Sequence, residues 1–154
     1  MLAERQVLYE KFWTGLLDRA RKRTKLHANI SPSRYHWVGT SSGFRGIGYN
    51  YVVTKEAAAI DLYIDRGKEC KDENEAIFDR LLEHKGEIEE AYGDKLHWER
   101  LDAKRACRIS ERFDTGGYRA SEKEWPTIQD AMIDAMIRME ESIAPHIAKL
   151  DSGG

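Results

Sequence analysis

The sequence contains little cysteine and proline and has no long hydrophobic run. Its two cysteines, Cys70 and Cys107, form no C-x-x-C pair, so neither a disulfide framework nor a redox motif is indicated. No apolar run approaches the roughly 20 residues that a membrane-spanning helix needs. Charged residues appear too early in the N-terminal stretch for a secretory signal. We therefore expect a cytoplasmic protein with reduced thiols and no membrane association.

An excess of one charge sign is also lacking, because the formal net charge is only −2. A chain with so little net charge is not a uniformly basic nucleic-acid binder. The charges are nevertheless segregated, with basic runs at residues 19–25 and 100–112 and an acidic stretch at residues 72–94. Such runs are usually solvated faces, but lysine and arginine clusters are also the groups that contact phosphates.

Alternating apolar residues predict two neighbouring strands in one domain, residues 1–154. The alternation covers residues 47–54 and 58–65, and the short turn between them requires an antiparallel pair. Residues 35–39, 95–101 and 105–113 predict three further strands. Four aromatic residues of these segments are expected in the core: Trp37, Tyr49, Tyr51 and Trp98.

Apolar stripes with helical spacing predict three helices, at about residues 5–25, 70–93 and 126–143. Gly93 is expected to stop the second helix, and Pro145 to end or kink the third. The order is therefore α-β-β-β-α-β-β-α. Because the strands cluster without βαβ alternation, it predicts an α+β fold with a mainly antiparallel five-stranded sheet and helices on one face.

The glycine-rich stretch "SSGFRGIGYNYVV" does not match a nucleotide-binding loop. A dinucleotide loop joins a strand to a helix, whereas here a strand follows the glycines. We expect its three glycines, Gly43, Gly46 and Gly48, to supply positive φ angles at a hairpin turn. Arg45 at the tip of this turn could make a modest contact with an anion.

No catalytic or metal-binding motif is apparent. None of the five histidines forms H-x-x-H or H-E-x-x-H with another, and no nucleophile motif occurs. We therefore assign no catalytic residue, no metal ligand and no cofactor. One alternative remains open, in which Asp61 and Asp65 share one strand face and bind a divalent cation, with Lys104 supporting the nucleophile of a nuclease.

The polar face of the sheet is the candidate binding surface. Asn50, Thr54, Tyr63, Arg108 and Arg112 could share it, and an aromatic ring between arginines can stack a base while the cations hold phosphate. The residues that we expect to contact phosphates are Arg45, Arg100, Lys104, Arg105 and Arg108. Such contacts position a nucleic acid without specifying its sequence.

Several stretches resemble the prokaryotic domain-of-unknown-function family numbered 4268. They are "LYEKFWTGLL", "SPSRYHW", "GIGYNYVVTKEAAAIDLYIDRG", "HWERLDAKRACRI" and "EWPTIQDAMIDAMIRMEESIAPHI". Members of that family occur alone or at the C-terminus of chains whose upstream part is similar to restriction-endonuclease-like nucleases. The resemblance implies an accessory or recognition role beside nucleic-acid chemistry, and it implies no catalytic residues.

Three functional hypotheses follow. The first is a non-catalytic module that contacts DNA, RNA or a nuclease-type protein partner, in a genome-defence or repair setting. The second is the metal-dependent nuclease that uses Asp61 and Asp65. The third is a protein–protein adaptor whose basic and acidic segments steer association.

Overall fold

The strands and helices follow the predicted order. The computed structural model describes residues 2–101 and 104–151, and it has an α+β fold with a five-stranded antiparallel sheet of strand order β1-β2-β3-β5-β4. The elements are α1 (Leu2–Arg21), β1 (Trp37–Ser41), β2 (Ile47–Val53), β3 (Ala58–Ile64), α2 (Lys71–Leu82), α3 (Lys85–Tyr92), β4 (His97–Glu99), β5 (Cys107–Phe113) and α4 (Trp125–Asp151).

The chain divides into two compact units. The first unit comprises Met1–Thr40, Asn50–Ile60 and Arg112–Met136. The second unit comprises Ser41–Tyr49, Asp61–Glu111 and Ile137–Gly154. Strands β2, β3 and β5 and helix α4 contribute residues to both units.

In the first unit, aromatic side chains of α1 form the centre of the core. Phe12 and Trp13 are fully buried, and the Phe12 ring meets that of Trp125 edge-on, with centroids 5.2 Å apart. The Trp13 Nε1–H donates to the carbonyl of Tyr35 at 2.8 Å, so the indole is buried without an unsatisfied donor. Trp37, in contrast, is 46% exposed, so the prediction that it lies in the core is wrong. It begins an edge strand, where only one side of the chain is paired.

In the second unit, α2 and α3 cover their side of the core. The Phe78 ring meets that of Trp98 with centroids 6.1 Å apart. Tyr92 is 1% exposed, its hydroxyl donates to the Glu111 carboxylate, and the Arg138 guanidinium lies 4.4 Å from its ring centroid. Burial, followed by that hydrogen bond, raises the pKa of Tyr92, so the phenol stays neutral.

The predicted helix over residues 70–93 is two helices. The chain leaves helical geometry at His84, which has φ −107° and ψ 19°, and α3 then begins at Lys85. Ile77, Phe78 and Leu81 of α2 and Ile88 of α3 are all buried, so the break lets both segments keep an apolar face on the core. Gly93 ends α3 in the left-handed conformation, φ 96°, as predicted.

Helix α4 continues past Pro145, so the prediction that it ends near Ile143 is wrong. Pro145 is exposed, and the carbonyl that loses its donor, that of Glu141, belongs to an exposed residue too. Ile147 and Leu150, beyond the proline, are each only 6% exposed. Their burial offsets the missing hydrogen bond.

Among residues 2–101 and 104–151, no helix combines the length and the apolar character that a bilayer-spanning segment requires.

Candidate nucleic-acid interface

Strands β3, β4 and β5 present a polar face in the second unit, defined here by Asp61, Tyr63, Glu99 and Arg108. Alternation along β3 buries Ile60, Leu62 and Ile64 on one side, which leaves Asp61 and Tyr63 on the other. On β5 the buried residue Ile109 faces Trp98 of β4, whereas Arg108 lies opposite Glu99. The polar face therefore results from the same alternation of side chains along each strand that directs the apolar residues into the core.

Tyr63 is the exposed aromatic residue of this face. Its exposed fraction is 37%, although every other large side chain of β3 is buried. Partial burial raises the pKa of Tyr63, and the charges of Asp65 and Asp61 add to this effect. The charges of Arg108 and Arg105 act in the opposite direction. The ring is therefore a neutral phenol surrounded by charged groups of both signs.

Arg108 is paired across the sheet. Its Nε–H donates to Glu99 Oε2 at 2.8 Å, and its side chain remains 38% exposed. This hydrogen bond raises the pKa of Arg108, which keeps the guanidinium charged at any physiological pH.

Arg105 precedes β5 in the chain and lies beside the end of β3, where the side-chain amide of Asn74 bonds to the backbone of both segments. Its Nε–H donates to the Asp65 carboxylate, at 3.0 Å from Oδ1 and 3.1 Å from Oδ2. Asn74 is fully buried; it accepts the Arg66 N–H at 2.8 Å and donates to the Arg105 carbonyl at 2.9 Å. Helix α2 therefore clamps the segment that carries Arg105 to the end of β3.

The turn between β1 and β2 lies beside the same strand end. The Asp65 N–H donates to the Gly46 carbonyl at 2.7 Å, and the Arg66 guanidinium lies 5.4 Å from the Phe44 ring centroid. Gly43 and Gly46 have φ of 94° and 89°, as predicted for this turn, whereas Gly48 lies within β2 and has no positive φ, so the prediction is wrong there. Arg45 is exposed between them, close in the chain to the contact with Asp65.

Arg100 is directed elsewhere. Its Nη2 lies 3.1 Å from Asp79 Oδ2 and 3.7 Å from Glu75 Oε1, and both acids belong to α2. Lys104 is exposed, and its backbone N–H donates to the Leu101 carbonyl at 2.7 Å. Of the five cations expected to contact phosphates, Arg108 thus lies on β5, the strand next to that of Tyr63, and Arg105 pairs with Asp65, two residues after Tyr63. Arg45 occupies the turn between β1 and β2, Lys104 precedes Arg105 in the chain, and Arg100 faces α2.

The two carboxylates of the nuclease hypothesis lie in dissimilar environments. Asp61 is only 5% exposed. Both oxygens of Asp65 face Arg105, and Oδ1 also accepts the Gly67 N–H at 2.9 Å. A carboxylate engaged in this way stabilises the strand end instead of offering free lone pairs to a cation. The "DAK" turn of that hypothesis includes Asp102, which lies outside the described residues.

Sequence reasoning missed two residues that build this region, Asn74 and Arg66. Asn74 lies in the acidic stretch 72–94, and its charged neighbours gave no reason to predict that it is buried. Arg66 belongs to the stretch "LYIDRG", and nothing in that stretch predicts that its guanidinium lies over the Phe44 ring. Hydrogen-bond partners 8 and 31 residues away give no local pattern.

Comparison with family models gives one match. Residues 8–147 match the model described as Domain of unknown function (DUF4268). Comparison with curated proteins gives no match, and comparison with solved structures gives none. Because the matched residues make up most of the chain, this protein belongs to the DUF4268 family.

Proposed function

We propose that this protein is a non-catalytic recognition module that contacts nucleic acid through the polar face around Tyr63. One observation supports this most directly: Tyr63 is exposed on the polar face of β3, the neighbouring strand β5 carries Arg108, and Arg105 pairs with Asp65, two residues after Tyr63. An exposed ring can stack on a base, and adjacent cations can hold the flanking phosphates. A module of this kind would act in the cytoplasm, beside nucleic-acid-processing proteins of genome defence.

The acids that pair with these arginines do not prevent such binding. The side chains of Arg105 and Arg108 are 49% and 38% exposed, and ion pairs with this much exposure contribute only about 0–1 kcal/mol. A phosphate that replaces a carboxylate partner also releases counterions from the nucleic acid. The paired acids keep the surface close to neutral without a ligand, and they preorganise the guanidinium groups.

Direct binding measurements test the proposal. Labelled single- and double-stranded DNA and RNA are titrated with the full chain over a salt series. If Arg45, Lys104, Arg105 and Arg108 each contact a phosphate of a single strand, the slope of log K against log salt is about −3. Tyr63→Ala should weaken binding by roughly 5- to 100-fold, because stacking on an aromatic side chain contributes about 1–3 kcal/mol per base.

Matched variants in the first unit provide the controls. Tyr35 is also an exposed tyrosine, 66%, and Arg34 is also an exposed arginine, paired with Glu10 at 2.7 Å. Tyr35→Ala and Arg34→Gln should leave the affinity unchanged, whereas Arg105→Gln should reduce the salt slope by about 0.7. A salt-independent response, or equal effects of the control variants, contradicts the proposal.

The remaining hypotheses are outcomes of the same experiment. Hydrolysis of DNA or RNA with magnesium or manganese, lost in Asp61→Asn and Asp65→Asn, would replace the proposal by the nuclease assignment. Absence of all nucleic-acid binding, together with capture of a defined protein partner whose binding is lost in Arg105→Gln, would replace it by the adaptor assignment.

A further inference from the structure

A cluster of two histidines and one glutamate lies in the second unit, away from the residues discussed above. His84 Nδ1 lies 3.7 Å from Glu87 Oε1, and His146 Nε2 lies 4.0 Å from Glu87 Oε2. One ligand atom from each of the three residues can be chosen so that all lie within 4.8 Å of one another. The two imidazole rings are 4.8 Å apart between centroids and tilted by 34°.

Local structure explains why these side chains meet. His84 occupies the break that separates α2 from α3, and Glu87 lies in the first turn of α3. Three residues along a helix bring side chains to the same face, so His84 and Glu87 point the same way. His146 follows Pro145 in α4 and supplies the third group from a separate helix.

His146 is the buried member of the cluster. Its side chain is only 9% exposed, and its Nε2 is the ring nitrogen that faces Glu87. His146 therefore offers a buried ligand position, toward which the more exposed side chains of His84 and Glu87 can move.

We propose that His84, Glu87 and His146 form a binding site for a divalent transition-metal ion, with zinc as the best fit. Two imidazoles and one carboxylate are ligands that zinc accepts, and three protein ligands leave a fourth position for water or another molecule. Ligand atoms of a tetrahedral zinc site lie about 3.4 Å apart, given bonds of about 2.0–2.2 Å. The 3.7 and 4.0 Å distances go to the two different oxygens of Glu87, and the three ligand atoms lie within 4.8 Å of one another. The cluster must therefore close by up to about 1.4 Å to bind the ion.

The exposure of the cluster permits this closure. The side chains of His84 and Glu87 are 40% and 72% exposed, so both can rotate toward the buried His146. The Glu87 carboxylate supplies the negative charge that a cation site needs. Because the fourth position faces solvent, the ion would be exchangeable and able to take an external ligand.

Metal titration of the tag-free, chelator-treated chain tests the proposal. Isothermal titration calorimetry with Zn²⁺ near pH 7 should give one site per chain with a Kd of about 10 µM or tighter. Co²⁺ should show the visible absorption of a low-coordinate nitrogen and oxygen site. A Kd weaker than this limit, or a stoichiometry different from one, overturns the proposal.

Variants assign the site to these residues. His84→Asn and Glu87→Gln change exposed side chains, and each should weaken Zn²⁺ binding at least tenfold. His146→Asn should do the same, and the other two variants keep the test decisive if this buried change impairs folding. The control is His97→Asn, because His97 forms a comparable exposed pair with Glu99 at 3.9 Å and has no place in the cluster. Unchanged affinity in His84→Asn and Glu87→Gln, or an equal loss in His97→Asn, refutes the assignment.

Discussion

The two basic runs of the chain use the same chemistry for different purposes. In the first unit, Arg19 makes a two-pronged pair with Asp130, with distances of 3.0 and 2.9 Å, and Arg23 lies 3.4 Å from Asp134 one helical turn later. These pairs join the end of α1 and the turn that follows it to the first part of α4. In the second unit, Arg108 pairs with Glu99 of β4 and Arg105 with Asp65 at the end of β3, the strand that carries the exposed Tyr63.

The comparison shows that the density of positive charge does not indicate the function of a segment. Both runs are ion-paired, so pairing alone does not separate a structural role from a binding role. What differs is the surrounding surface. The first run connects two helices, whereas the second contributes Arg108 to a face that carries the exposed Tyr63 ring. Three predictions compare the two units further, through their close backbone contacts, their buried amides and their ion pairs.

The largest expected effect concerns glycines at close backbone contacts. A Cβ on Gly117, in the first unit, would lie 2.1 Å from the Thr54 carbonyl oxygen and 2.7 Å from the Ala57 nitrogen. A Cβ on Gly46, in the second unit, would meet the Arg66 side chain at 2.5 Å, at a residue with φ 89°. We expect Gly117→Ala to lower the free energy of unfolding by about 3 kcal/mol or more, and Gly46→Ala by about 1–3 kcal/mol.

Chemical denaturation of the purified variants measures both losses. Gly86→Ala is the control, since a Cβ there meets nothing within 4 Å and the residue lies within α3. That change should raise stability by about 0.5–1 kcal/mol. A Gly117→Ala protein as stable as the parent would show that the turn formed by residues 54–57 can move freely.

An intermediate effect is expected from the two buried amides. Asn74 satisfies two backbone groups, those of Arg66 and Arg105, whereas Gln129 donates to the Phe12 carbonyl at 2.9 Å. Asn74→Ala should therefore cost about 2–4 kcal/mol, and Gln129→Ala about 1–2 kcal/mol, because each abandoned buried group loses its hydrogen bond. Hydrogen exchange of the Arg66 amide should accelerate only in Asn74→Ala. Equal losses with unchanged exchange would contradict this view of the clamp.

The smallest expected effect is the pH dependence of the helix–helix pair. The hydrogen bond from Arg19 lowers the pKa of Asp130, so the pair stabilises the protein above the unfolded pKa of about 3.9. This contribution is lost as the pH falls through the lower, folded pKa. Arg19→Gln should cost about 0.2–1 kcal/mol at pH 7 and nothing near pH 2.

Urea denaturation at several pH values checks this, and Asp130→Asn completes a double-mutant cycle. Arg105→Gln, which breaks the pair with Asp65 in the second unit, should cost a similar amount at pH 7. A loss for Arg19→Gln that persists at pH 2 would mean that the arginine acts through packing and not through its charge.

Much of the fold was predictable because it depends on periodicity. Tyr49 and Tyr51 are buried as the alternation of β2 predicts, and the buried apolar residues of β3 follow the same rule. The errors occur where local preference competes with burial. Pro145 should interrupt α4, yet Ile147 and Leu150 are buried beyond it. Trp37 is apolar enough for a core, yet it lies exposed on an edge strand.

The candidate sites were less predictable. Arg105 and Arg108 share a short segment, so their proximity followed from the sequence. The direction of Arg100 toward α2 did not, because Asp79 and Glu75 lie far from it along the chain. His146 is similarly far from His84 and Glu87 along the chain, and no metal-binding sequence motif predicts that the three side chains lie together.

The sequence by itself determined the order of the elements, the core-facing side of β2 and β3, and the turn glycines, because these depend on side-chain periodicity and backbone sterics over a few residues. Only the tertiary structure decided which acid each arginine meets, that Asn74 is buried, and that two histidines converge on Glu87. These outcomes depend on contacts between segments far apart in the chain, whose geometry is set by packing and not by neighbouring residues.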